Sequence, residues 1–305
     1  MTGLTCAISI ATHNRLAELR RTLGVVAALA PGPDELLLCA DGCEDGTAEY
    51  VREHFPAAKL IEHAQARGSI ASRVELMRAA TSDIVISLDD DSYPIDPDFI
   101  ARVRELFAAR PDVAVASFPQ RTDEFPETLT AKDFGPSRYV ANYVNAAAAF
   151  RRGVYLELEG WPEEFEHAYD ESDYTLQCLA AGYAVYYESG ITIRHHFTSL
   201  KRNEIRTHHR HARNEQWCAW RRCPFPGVLA VSAYRALSQL NYARKRGLGW
   251  LVREPRWWVM ALRGLPAVLR KRKPVPAHVY RQWLRLIKHP IEGAQEWEAV
   301  FGRGG

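Results

Sequence analysis

A strand-like run of apolar residues ends in three consecutive acids, within the stretch VISLDDDSYP at 85–94. Side chains alternate along an extended chain, so Asp89 and Asp91 should face one way while Asp90 faces the other. Adjacent carboxylates repel one another, and a divalent cation would remove that repulsion. Mg²⁺ and Mn²⁺ favour oxygen ligands, typically carboxylates together with substrate phosphates. The spacing therefore indicates a metal site, with a solvated acidic turn as the alternative.

A second acidic loop follows an earlier run of apolar residues, in LLCADGCEDGTAEY. Asp41 and Gly42 come directly after the predicted strand, and Asp45 opens a predicted helix. An Asp at the end of a strand can accept hydrogen bonds from a nucleobase or a ribose, whereas Asp45 is better explained as a turn and N-cap residue. Because ligands bind at the carboxyl ends of strands in α/β sheets, the two acidic loops are candidates for one site.

These loops lie in a front half where strand-like and helix-like runs alternate. The strand-like runs are CAISIA, ELLLCA, KLIEH, DIVISL and VAVASF, and amphipathic helices separate them. This alternation predicts an α/β fold of Rossmann type, with a mostly parallel sheet and helices on both of its faces. No GxGxxG or Walker A loop follows a strand, which argues against a dinucleotide dehydrogenase and a P-loop enzyme.

The alternation weakens beyond residue 120. The run NAAAAF at 145–150 fits either a tightly packed helix or the floor of a cavity. A helix is predicted over about 170–181, with strands near 184–188 and 191–196. After residue 200 the chain is predicted to be helical, in segments that prolines start or kink.

Charge divides the chain of 305 residues into two parts. Residues 201–305 hold 22 Lys and Arg against 6 Asp and Glu, a balance of +16, while residues 1–200 hold 17 against 31, a balance of −14. Seven of the eight tryptophans also follow residue 200. We therefore predict a domain at 1–200 and a basic, Trp-rich helical region at 201–305.

The sequence shows no features of a secretory leader and no apolar run of the ~18 residues that span a bilayer. Its six cysteines include no CxxC pair and no zinc-finger spacing. We interpret them as reduced thiols, which predicts a cytoplasmic protein. Despite the basic tail, no recognisable reader motif indicates a nucleic-acid partner.

Four segments of the front half resemble, in this order, successive blocks of the family 2 glycosyltransferases. They are ISIATHNRLAELRRTL, LLCADGCEDGTAEYV, ARGSIASRVELMRAATSDIVISLDDDSYP and GWPEEFEHAYDESDYTLQCLAAGYAVYY. Each motif is weak alone, but four in the right order over about residues 5–200 are specific. The resemblance implies a GT-A fold, a nucleotide-diphosphate-sugar donor, Mn²⁺ or Mg²⁺ as cofactor, and inversion at the sugar carbon.

The resemblance also implies roles for single residues at the donor site. Asp91 would bind the metal directly, and Asp89 would lie near the ribose or the metal. Asp41 would contact the base, although Ala40 replaces an acid that is usual before it. The implied nucleotide-sugar-binding residues are Thr12, His13, Asp41, Arg73, Asp89 and Asp90.

The last block of the family normally carries Glu-Asp before a helix, with the Asp as the catalytic base. Asp170 and Glu171 occupy these positions in swapped order, so Glu171 holds the base position and Asp170 is the alternative. Asp173 follows one turn after Asp170, as in many relatives. Acids are also common in the first turn of a helix for electrostatic reasons, which is the structural alternative.

Basic residues near the end of the front half complete the implied site. His196 is assigned to the metal, and His195 to the leaving diphosphate. Arg202, with Lys201 and Arg206 beside it, could stabilise the same leaving group, whereas a solvated basic helix face is the alternative.

These assignments imply an enzyme that moves a sugar to a hydroxyl of a glycan or a lipid-linked acceptor, in the synthesis of a cell-surface polysaccharide. A carboxylate would take the proton of the hydroxyl while the metal neutralises the leaving diphosphate. The small residues at 146–149 are expected to shape the acceptor pocket. The alternatives are a sugar-nucleotide-binding protein without catalysis and a nucleotidyltransferase, which would need a glycine-rich basic signature near the N-terminus.

The basic tail suggests a membrane partner. Trp257, Trp258, Trp283 and the RKRK run at 270–273 belong to predicted helices, and the segment RNEQW resembles a trailing helix of some polysaccharide-building relatives. Basic, aromatic amphipathic helices can lie on an anionic membrane, so we predict peripheral contact at the inner face of the cell membrane. A helical cap on the front domain and a homo-oligomer interface are the alternatives.

Overall fold

The computed structural model describes residues 3–197 and 203–302 of the chain. Strands and helices alternate through its first part: β1 (Cys6–Thr12), α1 (Leu16–Val26), β2 (Glu35–Asp41), α2 (Thr47–His54), β3 (Lys59–His63), α3 (Ser69–Ala79), β4 (Ile84–Asp89), β5 (Ser92–Pro94), α4 (Phe99–Ala109) and β6 (Val113–Ser117). The alternation predicted for the front half is confirmed.

Shorter strands follow: β7 (Gln120–Thr122), β8 (Arg138–Tyr139), β9 (Ala147–Arg151), α5 (Arg152–Glu157), α6 (Asp170–Ala180), β10 (Ala184–Tyr187) and β11 (Ile193–His195). The described chain then continues in helices: α7 (Glu204–Arg222), α8 (Gly227–Arg246), α9 (Leu248–Leu251), α10 (Pro255–Arg270), α11 (Ala277–Leu286) and α12 (Ala294–Phe301). The sequence patterns predict α7, α8, α10 and α11, but neither α12 nor a separate α9.

Eight strands form the main sheet, in the order β3-β2-β1-β4-β9-β6-β10-β8. The pairs β3-β2, β2-β1, β1-β4 and β6-β10 are parallel, while β9 runs antiparallel between β4 and β6 and β8 is antiparallel at one edge. The predicted mostly parallel α/β sheet is therefore confirmed. A small second sheet, β5-β11-β7, lies beyond the end of β4.

The central strands bring the acidic loops to one edge of the sheet. Ile8 of β1 and Ile86 of β4 are fully buried, as expected for parallel strands covered by helices on both faces. The register pairs Ala11 of β1 with Cys39 on one side and Asp89 on the other. The loops that follow these three strands therefore start side by side.

The small-residue run is a strand rather than a helix. Residues 147–149 lie in β9, paired with β4 on one side and β6 on the other, and all three alanines are fully buried. Alanine has little strand propensity, but pairing on both sides overrides it. The side chains of 147–149 have no exposed surface in this structure, and the expectation that 146–149 shape an acceptor pocket stays a prediction.

The tail packs on itself through its tryptophans. Trp217 of α7 lies against Gly264 of α10, where the Cβ of any larger residue would fall 2.1 Å from the indole ring. Trp257, at the start of α10, is buried and donates from Nε1 to Oε2 of Glu254 at 2.7 Å. A glycine at the point of closest approach thus lets the two helices cross at short distance.

The tail also covers the front part of the chain. Nε1 of Trp283 donates to the carbonyl oxygen of Ala141 at 2.9 Å, and the ring of Trp297 stacks on Tyr139 with centroids 4.5 Å apart. These contacts favour the helical-cap alternative for α11 and α12. The boundary at residue 200 stays a prediction, since 198–202 lie outside the described ranges. None of the described helices combines the length and the apolar character needed to cross a bilayer.

Candidate active site

The acidic loops come together in one pocket of about 200 Å³, at the carboxyl ends of β1, β2 and β4. Parallel strands place their following loops at the same edge, which is where such sheets bind ligands. Seven of the residues predicted from the sequence line this pocket: Thr12, His13, Asp41, Arg73, Asp89, Asp90 and Asp91. The structure confirms their convergence, while the role of each stays a prediction.

Asp89, Asp91 and His195 form a group with metal-binding chemistry. One ligand atom from each residue lies within 4.8 Å of the other two. Nε2 of His195 is 3.3 Å from Oδ1 of Asp91, and Nδ1 donates to Oε1 of Gln120 at 2.9 Å. Since an amide oxygen only accepts, that bond directs Nε2 towards the two carboxylates, as the orienting partner of a metal-binding histidine does.

The side chain of His196, which directly follows β11, has other partners. Its Nε2 is 2.7 Å from the hydroxyl of Tyr93, and its Nδ1 is 3.1 Å from a guanidinium nitrogen of Arg194. The backbone N–H of His196 donates to the carbonyl oxygen of Asp91 at 2.8 Å, whereas the imidazole of His195 faces the Asp91 carboxylate. The structure corrects the sequence-based assignment: His195, rather than His196, stands at the candidate metal position.

Asp90 follows the last residue of β4 and lines the same pocket as its two neighbours, so the strand alternation expected for the three acids does not extend to it. It accepts hydrogen bonds from Oγ1 of Thr12 at 2.7 Å and lies 3.1 Å from Nε of Arg15. Burial raises the pKa of Asp90 to about 7, against the opposing effect of Arg15. Its carboxyl group thus supports the floor of the pocket.

Arg15 is a site residue that the sequence analysis misses. Its guanidinium spans two of the three acids, at 3.1 Å from Asp90 and 2.5 Å from Oδ2 of Asp91. Its position in the segment ATHNR, directly after β1, could have indicated it, since β1 is the neighbour of β4 in the sheet. An ion bound by Asp91 would compete with this arginine.

Asp41 anchors the loop that follows β3. Its Oδ1 accepts from the backbone N–H of Arg67 and its Oδ2 from that of Gly68, each at 2.8 Å. Nδ1 of His63 lies 2.6 Å from Oδ1. Burial would raise the pKa of Asp41, but these hydrogen bonds hold it below its usual range. Asp41 is therefore ionised, and its predicted contact with a base would use its remaining lone pairs.

The turn after β2 packs closely on the loop that follows β3. Gly42 has a φ of +65°, and a Cβ there would fall 2.4 Å from the backbone nitrogen of Ala66, so only glycine fits. His13 is exposed beside this turn, with Nδ1 2.6 Å from the carbonyl oxygen of Asp41. An exposed ring at the rim of a pocket can stack on a base, which is its predicted role.

Arg73 connects the metal group with the acids of α6. It forms an ion pair with Asp89 and is held in its charged form, against the cost of burial, by Asp89, Asp170 and Glu171. Its Nε is buried without a hydrogen-bond partner among the described residues. A buried unpaired donor is costly, so this atom is available to an anionic ligand.

The first two residues of α6 are the predicted catalytic pair. Asp170 is 2% exposed and accepts from Nδ2 of Asn145 at 2.6 Å, and its side chain hydrogen-bonds with that of Glu171. Burial raises the pKa of both carboxyls, and repulsion from Asp170 raises that of Glu171 further, well above its ordinary value. Two adjacent carboxyls that disfavour double ionisation share a proton, which suits a group that must accept one.

The segment before the pair has an unusual backbone. Glu166, Ala168 and Tyr169 have φ values of 62°, 70° and 68°, in the left-handed region that residues with a Cβ seldom adopt. Nδ2 of Asn214, fully buried in α7, lies between 2.7 and 3.0 Å from three carbonyl oxygens of 165–168. Such backbone conformations persist where surrounding contacts impose them, often at functional sites.

Asn145 and Asn214 are therefore further functional candidates that the residue types did not reveal. Asn145 belongs to the small-residue run, and Asn214 to the segment RNEQW, so each lies in a stretch that the sequence analysis noted without assigning the residue a role. Arg202, predicted to stabilise the leaving group, lies outside the described residues. Arg206 is exposed near the start of α7 and lines a different cavity.

The strand topology and the acidic site at the edge of the sheet are those of a GT-A glycosyltransferase fold. The chain belongs to the family described as Glycosyl transferase family 2, whose model matches residues 7–186. This membership confirms the resemblance and favours a glycosyltransferase over a nucleotidyltransferase. Among curated proteins, none matches the chain.

Solved structures share the fold at low sequence identity. The mannosyltransferase PcManGT from Pyrobaculum calidifontis, in complex with GDP-Man and Mn²⁺, is 21% identical with a TM-score of 0.58, over 98% of this chain and 87% of that one. TarS residues 1–349 of S. aureus, in complex with UDP, is 12% identical with a TM-score of 0.61, over 83% and 78%.

GalNAc-T7 with UDP, GalNAc and Mn²⁺ is 13% identical with a TM-score of 0.59, over 73% of this chain and 48% of that one. The chain thus spans about half the length of the GalNAc-T7 structure that it matches. At these identities the likeness shows the GT-A fold, and the ligands belong to the neighbours.

Proposed function

We propose that the protein is a metal-dependent inverting glycosyltransferase, which moves a sugar from a nucleotide-diphosphate donor to a hydroxyl of a glycan or lipid-linked acceptor. The observation that carries this proposal is the arrangement around Arg73. It pairs with Asp89 of the metal group and is attracted to the two acids at the start of α6. Arg73 therefore interacts both with the edge of the sheet proposed to bind the donor and with the candidate base.

The donor set fits a divalent ion. Asp89 and Asp91 offer carboxylate oxygens and His195 offers an imidazole nitrogen, all close enough to share one ion. A mixed set of this kind suits Mn²⁺ better than Mg²⁺, which strongly prefers oxygen. When bound, the ion would neutralise charge on the diphosphate and improve it as a leaving group. The neighbours solved with Mn²⁺ support this choice.

The chain's own groups would perform the remaining steps. Glu171, or Asp170 in its place, would accept the proton of the acceptor hydroxyl, and its raised pKa suits a general base near neutral pH. Asn145 holds Asp170 in place, and Arg73 would attract the donor phosphates. Attack on the anomeric carbon from the face opposite the diphosphate would invert its configuration in one step.

The donor experiment is a thermal-shift panel with UDP, dTDP, GDP and CMP, each with and without Mn²⁺. A ligand that binds only the folded state raises its stability. We expect one nucleoside diphosphate to raise Tm only with Mn²⁺, and Asp91→Asn to abolish this ligand-induced increase. Increases that are equal with chelator present would contradict metal dependence.

We propose that the membrane-facing surface is the exposed side of α8–α10. Most of the side chains that the sequence suggested for this role have other partners. Trp257 and Trp283 are buried, and within the RKRK run Lys271 and Lys273 pair with Glu164 and Glu159, at 3.1 and 3.0 Å. These groups support the packing of the tail. Only Trp258, at 40% exposure, fits the predicted role among the three tryptophans.

The surface of α8–α10 combines exposed apolar residues with positive charge. The apolar residues are Tyr234, Leu237, Leu248, Val252, Val259 and Leu262, each 45% exposed or more. Residues 227–270 contain eight Lys and Arg, and their single acid, Glu254, is buried. This combination is complementary to an anionic lipid surface. Such contact would place the enzyme at the inner face of the cell membrane, in the synthesis of a surface polysaccharide.

Sedimentation with vesicles of phosphatidylcholine and phosphatidylglycerol tests this surface. We expect the double variant Leu237→Glu/Leu262→Glu to bind at least about tenfold more weakly than wild type, since it adds two charges that anionic lipids repel. Leu156→Glu, on the exposed side of α5, is the control and should bind as wild type. Equal binding by both variants, or a concentration-dependent oligomer that Leu237→Glu/Leu262→Glu abolishes, would contradict membrane contact.

A further inference from the structure

A second cavity, of about 640 Å³, lies outside the donor site, between α7 and the start of α10. Arg206, Arg210 and Arg213 come from α7, and Arg256 comes from the first turn of α10. Arg253 lies between α9 and α10. We call this cavity the arginine pocket. It shares no lining residue with the donor pocket.

The arginine pocket has far more positive than negative charge. Its single acid, Glu166, lies 3.6 Å from both Arg210 and Arg213. Arg253 and Arg256 form no ion pair with any part of the chain at 3–197 or 203–302. Like charges in one concave site repel one another, and a concave basic site concentrates anions.

His209 provides a second, independent indication of a ligand. It lines the arginine pocket and is only 6% exposed, yet its Nε2 has no hydrogen-bond partner among the described residues. Burial lowers its pKa, and His208, Arg256 and Arg253 lower it further, so the ring is neutral. A neutral imidazole with hydrogen on Nε2 can donate to an oxygen anion, and buried donors usually have a partner.

The arginine pocket adjoins the segment that precedes the predicted catalytic pair. Glu166 lines it and begins the left-handed segment that leads to Asp170. Nη2 of Arg213 donates to the carbonyl oxygen of Phe165 at 2.9 Å. The pKa of His167, which lies between Glu166 and Asp170 in sequence, is lowered to about 4 by loss of solvation, by His211, and by the charges of Arg73 and Arg210. Arg73 in the donor pocket and Arg210 in the arginine pocket therefore both lower the pKa of His167.

We propose that the arginine pocket binds a phosphate or diphosphate group of the acceptor, an inference that rests on the proposed glycosyl transfer. Guanidinium groups bind phosphate oxygens in pairs, which fixes orientation as well as position. The donor diphosphate has its own site at Asp89, Asp91 and Arg73, so the anion held here belongs to the second substrate. Holding it beside 165–169 would present the acceptor hydroxyl to the acids of α6.

Two sources could supply this phosphate: a lipid-linked acceptor or a soluble sugar phosphate. An apolar groove lined by Trp258 and Leu262 lies on the neighbouring face of α10, which would suit the chain of a lipid. The arginine pocket itself recognises only the shared phosphate chemistry.

Calorimetric titration with inorganic diphosphate, in the presence of chelator, tests the arginine pocket without any need for activity. We expect Arg253→Gln/Arg256→Gln to weaken binding by about tenfold or more, the loss of roughly one charge-assisted contact. Arg263→Gln/Arg270→Gln removes the same charge from α10 outside the cavity and should bind as wild type. Equal affinity in all three proteins, or no binding by wild type, would overturn the proposal.

Competition then separates the two sources. Displacement of diphosphate by phosphatidylcholine vesicles containing phosphatidic acid, but not by pure phosphatidylcholine, supports a lipid phosphate. Displacement by glucose 1-phosphate alone supports a soluble acceptor. Displacement by neither would contradict an acceptor site.

Donor binding distinguishes this inference from the proposed function. The nucleotide-induced increase in Tm should be unchanged in Arg253→Gln/Arg256→Gln. A chain that binds diphosphate in the arginine pocket but no nucleoside diphosphate would contradict the glycosyltransferase proposal. A chain that transfers sugar with the same acceptor KM in both double variants would contradict the arginine pocket alone.

Discussion

The first turn of α6 carries acids in two opposite environments. Asp170 and Glu171 face Arg73 and the donor site, where burial and mutual repulsion raise their pKa values. Asp173, on the other side of the same turn, is fully buried between Arg221 and Arg222 of α7. Burial would raise the pKa of Asp173, but the two arginines hold it below its usual range.

This difference in environment separates the acid pair proposed for catalysis, Asp170 and Glu171, from Asp173, which is part of the packing of α6 against α7. Both oxygens of Asp173 are matched: Oδ2 lies 3.1 Å from Nε of Arg221 and Oδ1 lies 2.8 Å from Nη2 of Arg222. Arg73, the cation that attracts Asp170 and Glu171, already pairs with Asp89. A buried acid pair that lacks matched charge destabilises the fold, which is the usual condition of groups kept for catalysis.

Removal of the base should have the largest effect. We expect Glu171→Gln to lower kcat by about 10²–10⁴-fold, the typical contribution of a positioned base, with little change in donor binding. Asp170→Asn should lower it less if Glu171 is the base and more if the roles are exchanged. The measurement is release of nucleoside diphosphate from the donor that the thermal-shift panel identifies. Glu105→Gln, an exposed acid on α4, is the control, and equal rates in Glu171→Gln and this control would contradict the assignment.

Asp173→Asn should instead act on stability. It leaves Arg221 and Arg222 buried without their partner, and breaking a buried ion pair in this way typically costs about 3–5 kcal/mol. Urea unfolding measures the change in the free energy of unfolding. A loss below about 1 kcal/mol would show that Asp173 is not the charge that holds α7 against α6.

The pH dependence of the reaction should follow the shared proton. Because burial raises the pKa of the Asp170–Glu171 pair, kcat/KM should rise up to about tenfold per pH unit until the pair loses its proton, well above the ordinary carboxyl value of ~4.3. Glu171→Gln should flatten this rise. A wild-type profile with its midpoint at the ordinary value would contradict the predicted environment.

The smallest predicted effect is an increase in the free energy of unfolding in Glu171→Gln, the variant that lacks the predicted base. A group whose folded-state pKa is raised stabilises the fold below its unfolded-state pKa, and this contribution is lost as pH rises through the folded-state value. Glu171→Gln removes that loss, so at about pH 8 it should be more stable than wild type by about 1 kcal/mol or more, since one pKa unit is about 1.4 kcal/mol. The gain should vanish near pH 4. A variant that is less stable at both pH values would contradict this sign.

The site residues at the ends of strands could be predicted because local sequence patterns mark them. Asp41 and Asp89 each end a run of apolar residues whose alternation with helices indicates a parallel sheet, and parallel strands bring such ends together. The alternation expected for Asp90 fails because β4 ends at Asp89, and Asp90 shares Arg15 with Asp91. The family resemblance then added the pair at Asp170 and Glu171, which no periodicity would have selected.

The remaining site residues depend on contacts that no local pattern specifies. Arg15 reaches Asp91 across 76 positions of sequence, and Asn145 reaches Asp170 across 25. The choice between His195 and His196 depends on the register of β11 against β5, since a shift by one residue exchanges the two faces. The strand β9 was ambiguous because its alanines carry no strand preference, and only its two neighbours in the sheet decide its conformation.

Direct titration of the acids of α6 tests the central comparison. NMR of protein labelled with ¹³C at the side-chain carboxyls of Asp and Glu would follow Glu171 and Asp173 in one sample, with Glu171→Gln and Asp173→Asn to assign the signals. We predict that Glu171 titrates well above ~4.3 and that Asp173 stays ionised below ~3.9. Titration of both carboxyls at their ordinary values would contradict the division between a functional and an architectural face.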